Sequence, residues 1–507
     1  MENKYSKSKE QNRRSNERKS YNKFNDNKTQ SFKKNNQKRS DAYAMEKAKT
    51  NRLEFEKFQK LEGKTFKVTC KELDEAGKGI AFYQGLQLHI PNLLPNEEAD
   101  VKVEKYRGKI DVRVIHYEKT SPIRVKCRCD VFNICGGCQY QHISYADQLR
   151  MKNEYIANKF KDLRGNYAIY PIIGMDDFDH YRCKNQMVYG VNKNGSIIAG
   201  FYEEDTHKIV NYEDCMIQDL TANKIMKTVK KLMLKYNIIP FNEDSELGLL
   251  RHVFVRVGKH SKEVLVALVT ASEIFPGRKD FVKDLRKEHP EITTIIQSVN
   301  ETTTSMVLGD KERVLYGDGY ITDTLCGLKF QISATSFYQV NPIQTEHLYS
   351  KAIEFAGLKS TDVVLDAYSG IGTIGLIASS RCKEVISVEL NKQAFKDAIR
   401  NAKINGIKNT YFYNADATEF IKEMAEEKTH LDVLLMDPPR SGSTEEFLYS
   451  VSKLQPRKIV YISCNVETQV RDLKYLLRAG YQIKKVQPVD MFPSTKHCEN
   501  VVLLEKR

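Results

Sequence analysis

Thr361–Ser379 reads TDVVLDAYSGIGTIGLIAS. Val363, Val364 and Leu365 form a short apolar run that stops at Asp366, small residues follow, and an apolar run of helical length begins at Ile371. Strand, glycine turn and helix in that order make the first unit of a Rossmann-like sheet, where ligands sit beyond the carboxyl ends of the strands. Gly370, Gly372 and Gly375 let the backbone turn tightly and approach a ligand that a Cβ would push away. As a bare pattern this is G-x-G-x-x-G, with Glu389 about 20 residues on to hold a ribose, which also suits a dinucleotide.

The downstream strands separate these readings. Asp437-Pro438-Pro439-Arg440 closes the apolar run Val433–Met436, and Ser463-Cys464-Asn465 closes Ile459–Ile462. A carboxylate and a thiol therefore leave successive strand ends above one pocket. Hydride transfer has no evident use for that pair, whereas a methyltransferase that attacks a pyrimidine ring needs a nucleophile and a polar clamp. Around this region the chain alternates: strand Glu384–Val388, helix Gln393–Asn405, strand Tyr411–Tyr413, helix Thr418–Glu427. Such alternation predicts an α/β fold with a parallel, doubly wound sheet, which Tyr481–Val486 and Val501–Glu505 complete as its last two strands.

DAYSGIGTIGL, MDPPRSG, YISCN and the terminal FPSTKHCENVVLLEK, in this order, resemble the RNA 5-methyluridine (uracil-5-) methyltransferase family, which uses S-adenosyl-L-methionine. The likeness runs from about Phe58 to the C-terminus. It implies a Rossmann-like class I methyltransferase domain over 341–507, with Cys464 as nucleophile and Glu499 as base. It further implies Gln339 as a cofactor ligand, Tyr368 lining the cofactor site, Glu389 on the ribose hydroxyls, Asp416 near the adenine and Asp437 facing the cofactor or the target uracil. The chemistry agrees with these roles. Uracil carbon 5 is a poor nucleophile until a thiolate adds to carbon 6, and a base must later remove the hydrogen from carbon 5. Cys498, beside Glu499, reads as a small apolar filler, and Cys183 as structural.

Composition bounds the rest. The chain has 507 residues and a net charge of +14, and its first 50 residues carry 15 Lys and Arg against 6 Asp and Glu. With almost no aliphatic residues, 1–56 reads as a disordered basic tail. A positive surplus suits a polyanion such as RNA. No apolar run approaches a membrane span, and no secretory segment precedes the 11 cysteines, so the expected compartment is a reducing cytoplasm. No obligate protein partner is evident.

Residues 57–118 switch to short strands (Thr65–Cys70, Ile80–Phe82, Gln87–Ile90, Ala99–Glu104, Lys109–Ile115) with glycines at the turns, the pattern of a small OB-like barrel. Its wording, EAGKGIA followed by HIPNLLPNE, resembles a TRAM domain, an RNA-binding module. Within an α+β central region, 119–340, Cys129, Cys135 and Cys138 have metal-ligand spacing, and Cys215 is the best fourth ligand. Four thiolates suit zinc or a [4Fe-4S] cluster. The family resemblance implies the iron–sulfur cluster, with Cys127 outside it. An amphipathic helix over 143–164 is expected to dock the cysteine loop.

The expected function is methylation of carbon 5 of specific uridines, single-stranded or flipped from the stack, in 23S ribosomal RNA, because transfer-RNA relatives commonly lack both barrel and cluster. The alternatives are a transfer-RNA methyltransferase of the same family, a non-catalytic RNA-binding assembly factor that keeps a degenerate fold, and, last, a nicotinamide oxidoreductase.

Overall fold

The computed structural model describes residues 56–106, 109–204, 206–302 and 306–507, so the basic tail lies outside the described residues except for its last position. The chain divides after Pro122 into two compact units.

In the first unit, strand residues alternate between exposed and buried, as in Thr65–Thr69 and Leu86–Ile90. This period places one set of side chains inside. Thr65–Thr69, Glu98–Tyr106 and Lys109–Lys119 form one three-stranded antiparallel sheet, and Glu72–Leu73, Gly79–Tyr83 and Leu86–Ile90 form another. Phe66, Val68, Ala81, Leu88, Val101 and Val112 share the core between them. Six strands stand where five were expected, because Glu72–Leu73 pairs across the tight Asp74–Lys78 turn. Asp74 stabilises that turn by accepting from the N–H groups of Ala76 and Lys78 at 2.8 Å each. Gly79 permits a close approach, since a Cβ there would stand 2.4 Å from the Leu93 carbonyl oxygen.

The second unit, Ile123–Arg507, is built on two large sheets. A seven-stranded sheet runs in the order Ile209–Asn211, Ile197–Tyr202, Lys184–Val191, Leu250–Val257, Val264–Thr270, Ile292–Val299, Lys311–Tyr316. Neighbours are antiparallel except Val264–Thr270 and Ile292–Val299, which the helix Arg278–Glu288 connects as a parallel pair.

The C-terminal sheet is formed by β1 (Val363–Ala367), β2 (Glu384–Val388), β3 (Thr410–Tyr413), β4 (Val433–Met436), β5 (Lys458–Ser463), β6 (Tyr481–Val489) and β7 (Glu499–Lys506). Their order is β3-β2-β1-β4-β5-β7-β6, with Ala168–Ile169 added beyond β6. β1 to β5 are parallel, as the alternation of strands and helices predicts. The last strand corrects the all-parallel expectation: β7 is antiparallel to both β5 and β6. The connection from β6 to β7 holds no helix and turns straight back, so β7 enters from the carboxyl edge of the sheet.

Successive side chains point to opposite faces of a strand, and the two faces of this sheet carry different partners. Val433, Leu435, Val460 and Val501 pack in one apolar cluster with Phe254, Leu265 and Ile296 of the seven-stranded sheet. No packing break marks residue 340. Leu434, Ile459, Tyr461 and Val502 face the other way, onto Ile156 and Phe160 of helix α1 (Tyr145–Phe160). The helix expected to dock the cysteine loop thus spends its apolar stripe on the C-terminal sheet. Its Gln148 also donates to the carbonyls of Tyr140 and Ile143, at 3.0 Å each, just beyond the cysteines. Among the described residues no helix is long and apolar enough to cross a membrane.

Candidate active site

The glycine turn is braced from below. Asp366, at the end of β1, is buried and accepts from the Gly375 N–H at 2.9 Å. A Cβ on Gly375 would stand 2.6 Å from that carboxylate oxygen and 3.0 Å from the Ser387 hydroxyl, so glycine is required there. Burial raises the Asp366 pKa well above the carboxylate range, with Asp437 and Glu389 adding to it against the Gly375 bond. Tyr368, Gly370 and Gly372 all lie at positive φ (66°, 57° and 84°), which bends the turn over the strand end. For Tyr368 this is a rare conformation. Its ring is held against Phe447 at 5.5 Å, and its hydroxyl lies 3.4 Å from that of Ser443.

Glu389, one residue past β2, accepts from the Gly370 N–H at 2.8 Å and the Asn391 N–H at 2.7 Å. Each carboxylate oxygen keeps a further lone pair, so the group is fixed in orientation and still able to accept. Asp416 caps the helix Ala417–Glu426, accepting from Thr418 N–H at 2.8 Å. Gln339 is buried, and its carbonyl accepts from the Cys183 thiol at 3.5 Å. The sequence reading placed no role on Asp366, although a carboxylate closing β1 before a glycine turn was visible in it.

Asp437 follows β4 and Cys464 follows β5. The antiparallel course of β7 brings Glu499 to them: Ser463 pairs with Asn500, so Glu499 stands beside the end of β5. Had β7 run parallel, its first residue would lie at the opposite edge, roughly 20 Å away at ~3.3 Å per residue. The three groups act on one another. Burial, then the charges of Glu499 and Asp437, push the Cys464 thiol up to about 11, while the Arg440 guanidinium opposes them by charge and a hydrogen bond. Burial likewise raises Asp437 to about 7. Glu499, only 2% exposed, has one carboxyl oxygen with no hydrogen-bond partner, and burial, then Asp437, hold it well above its ordinary range against Arg440. Cys498 is buried in the apolar layer below, as a filler would be.

A groove of about 1320 Å³ lies on the inner face of the seven-stranded sheet, with Lys184, Gln186, Phe254, Gln331, Arg400 and Lys403 in its lining. It reaches Asn391 and Gln393, just beyond Glu389.

Cys129, Cys135, Cys138 and Cys215 are gathered on one side of this unit. The short helix Phe132–Cys135 ends in Gly136 at φ 71°, which turns the chain back toward Cys138. Cys215 arrives from a segment zipped to residues 180–182 through the bonds His180 N–H to Met216 and Arg182 N–H to Ile217. Burial, with smaller contributions from Cys135 and Cys129, raises the thiols of Cys138 and Cys215 to about 12 and about 11. Cys127 sits against the Cys129 carbonyl and the Gln141 amide. Among the described residues no group of three or more His, Cys, Asp or Glu is placed to hold a metal ion, so the geometry lacks the preformed centre that the spacing led us to expect.

A family model described as tRNA (Uracil-5-)-methyltransferase matches residues 144–507. The chain is 41% identical over 443 residues to an uncharacterized RNA methyltransferase of Oceanobacillus iheyensis, covering 87% of this chain and 96% of that one. It is 42% identical over 441 residues to one of Halalkalibacterium halodurans, covering 86% and 96%. Among solved structures, the tRNA (uracil-54, C5)-methyltransferase of Pyrococcus abyssi, in complex with S-adenosyl-L-homocysteine, is similar with a TM-score of 0.69 at 26% identity, covering 87% of this chain and all of that one.

Proposed function

This chain belongs to the RNA (uracil-5-)-methyltransferase family, an S-adenosylmethionine-dependent enzyme family acting on RNA, and from that premise we propose that it methylates carbon 5 of a uridine through a covalent bond between Cys464 and carbon 6. The observation that carries this reading is the meeting of Cys464, Glu499, Asp437 and Arg440 at one sheet edge, with Glu499 delivered by an antiparallel strand.

Gln339, Tyr368, Glu389, Asp416 and Asp437 would hold the cofactor, and the positive-φ turn together with the fixed Glu389 carboxylate fits a ribose-bearing ligand. S-adenosylmethionine supplies the methyl carbon as an electrophile. Cys464, as thiolate, adds to carbon 6 and makes carbon 5 nucleophilic. Glu499 then takes the hydrogen of carbon 5 as a proton, the bonding pair restores the ring double bond, and the carbon–sulfur bond breaks. In the protein itself burial favours the uncharged form of both groups, which leaves Arg440 as the charge that assists thiolate formation.

That role gives a prediction. Alkylation of Cys464 by iodoacetamide should rise with pH toward a midpoint well above the ~8.5 of a free thiol. Arg440→Gln removes the favourable charge and hydrogen bond and should move the midpoint higher, with slower labelling at pH 8. Asp437→Asn removes a negative neighbour at pH above about 7 and should move it lower. Unchanged profiles in both variants would remove Arg440 and Asp437 from the mechanism.

We further propose 23S ribosomal RNA as the substrate, met in the cytoplasm. This choice rests on the resemblance of the N-terminal barrel and the four-cysteine loop to the ribosomal branch of the family. Lys184, Arg400 and Lys403 in the groove beyond Glu389 offer cations to RNA phosphates, beside Asp310, Glu312 and Asp318 in the same lining. The similarity to the Pyrococcus enzyme favours transfer RNA as a second reading. Mapping 5-methyluridine in both RNAs of a deletion strain decides between them, and a strain that keeps every 5-methyluridine would refute both.

The four cysteines would hold a [4Fe-4S] cluster, whose four thiolate ligands match this donor set. Protein purified without oxygen should be brown, with about four irons per chain. Cys215→Ser should lose the metal, and Cys127→Ser should retain it. Stoichiometric zinc without iron would overturn the cluster.

A further inference from the structure

The connection from Asp490 to Glu499 has no regular structure of its own, yet it delivers the base. Its backbone carbonyls are bound in turn by distant groups. Met491 is bound by the Asn341 amide at 3.1 Å, Phe492 by the Lys152 ammonium at 3.1 Å, and Pro493 by the Tyr181 hydroxyl at 3.2 Å. Ser494 accepts from the N–H groups of Gln139 and Tyr140 at 3.1 and 2.9 Å. At the root of the connection lies an ion pair sealed from water. Lys152 of α1 is 2% exposed and Asp490 0%, and their charged atoms stand 2.5 Å apart. The other Asp490 oxygen accepts from the Tyr145 hydroxyl at 3.0 Å.

Well-packed apolar residues of similar volume often fill such a seat with no loss of stability, because desolvating two charges is expensive. Stability therefore does not account for the pair. Direction does. Lys152 ties Asp490 and the Phe492 carbonyl to a single nitrogen, and Tyr145 fixes the second carboxylate oxygen. Asp490 through Phe492 are thereby held to α1 at the foot of the segment that ends in Glu499. We infer that Lys152 and Asp490 are positioning residues that set Glu499 at the distance from which it takes the carbon 5 proton. The inference rests on the reading of Glu499 as the base.

The step concerned is release: the C5–H bond breaks, its proton goes to Glu499, the bonding pair forms the C5–C6 double bond, and Cys464 leaves as thiolate. Release can be separated from addition. In RNA containing 5-fluorouridine no proton is available at carbon 5, so the Cys464 adduct forms and never resolves. The experiment uses the full chain and whichever of the 23S ribosomal and transfer RNA transcripts accepts methyl, in ordinary and 5-fluorouridine form. The Lys152→Met, Asp490→Asn double variant removes both charges together. It should bind S-adenosylhomocysteine and form the fluorinated adduct within about twofold of the unaltered protein. On ordinary RNA it should release at least tenfold more slowly, so that methylated adduct accumulates on a denaturing gel. Tyr145→Phe keeps both charges, should shift release in the same direction by a smaller factor, and decides the matter if the double variant does not fold. Unchanged release overturns the inference, as does a loss of fluorinated adduct or of cofactor affinity. Glu499→Gln runs in parallel. If it stalls while the Lys152 and Tyr145 variants do not, the positioning role falls alone; if it releases normally, the assignment of the base falls and takes the inference with it.

Discussion

Cys464→Ala should form no adduct with RNA and transfer no methyl, whereas Glu499→Gln should form the adduct, accept the methyl and then stall. The two substitutions act at opposite ends of one covalent cycle. Without the thiol at the end of β5, carbon 5 is never activated. An amide at position 499 cannot take the carbon 5 proton, and loss of a general base costs ~10²–10⁴ in rate. A denaturing gel of Glu499→Gln with RNA should therefore show a slow-migrating species labelled from the methyl group of the cofactor. It should vanish in the Cys464→Ala, Glu499→Gln double variant. Normal turnover by Glu499→Gln would hand the base role to another group, with Asp437 first, since it also lies against Cys464 and titrates near neutrality, at about 7. An adduct persisting without Cys464 would move the nucleophile to Cys498.

Lys152→Met alone should destabilise the unit Ile123–Arg507 by ~3–5 kcal/mol, the cost of leaving a buried charge without its partner. Asp490 has 0% exposure and cannot reach water, and Tyr145 supplies a single hydrogen bond in place of a charge. Adding Asp490→Asn removes the stranded charge and should recover most of the loss, which a urea-unfolding midpoint reads directly. If the single variant were as stable as the double, the pair would not be ionised in the folded protein. Stability should recover in the double variant while release stays slow. That split separates positioning from support of the fold.

The sequence by itself determined what is local. The run Val363–Leu365, the glycines after it and the residues closing β4 and β5 fixed strand, turn and the exits of Asp437 and Cys464. Glycine at positive φ and apolar runs of strand length are properties of neighbouring residues, so they can be read in order. The helix Pro342–Ala356 shows a local signal that went unused, with Asn341 accepting from the Gln344 N–H and Pro342 in the first turn. The direction of β7 was not legible. A strand buried on both faces looks the same whichever way it enters a sheet, and its partners β5 and β6 are chosen by long-range pairing. That choice alone puts Glu499 beside Cys464 rather than at the far edge. The destination of α1 was hidden for the same reason: an apolar stripe states that a face is buried, not against what. Lys152 and Asp490, 338 residues apart, read separately as an ordinary lysine on a helix and an aspartate in a loop. Only the packing of α1 on the C-terminal sheet removed the water between them, and with it the freedom of the segment that carries Glu499.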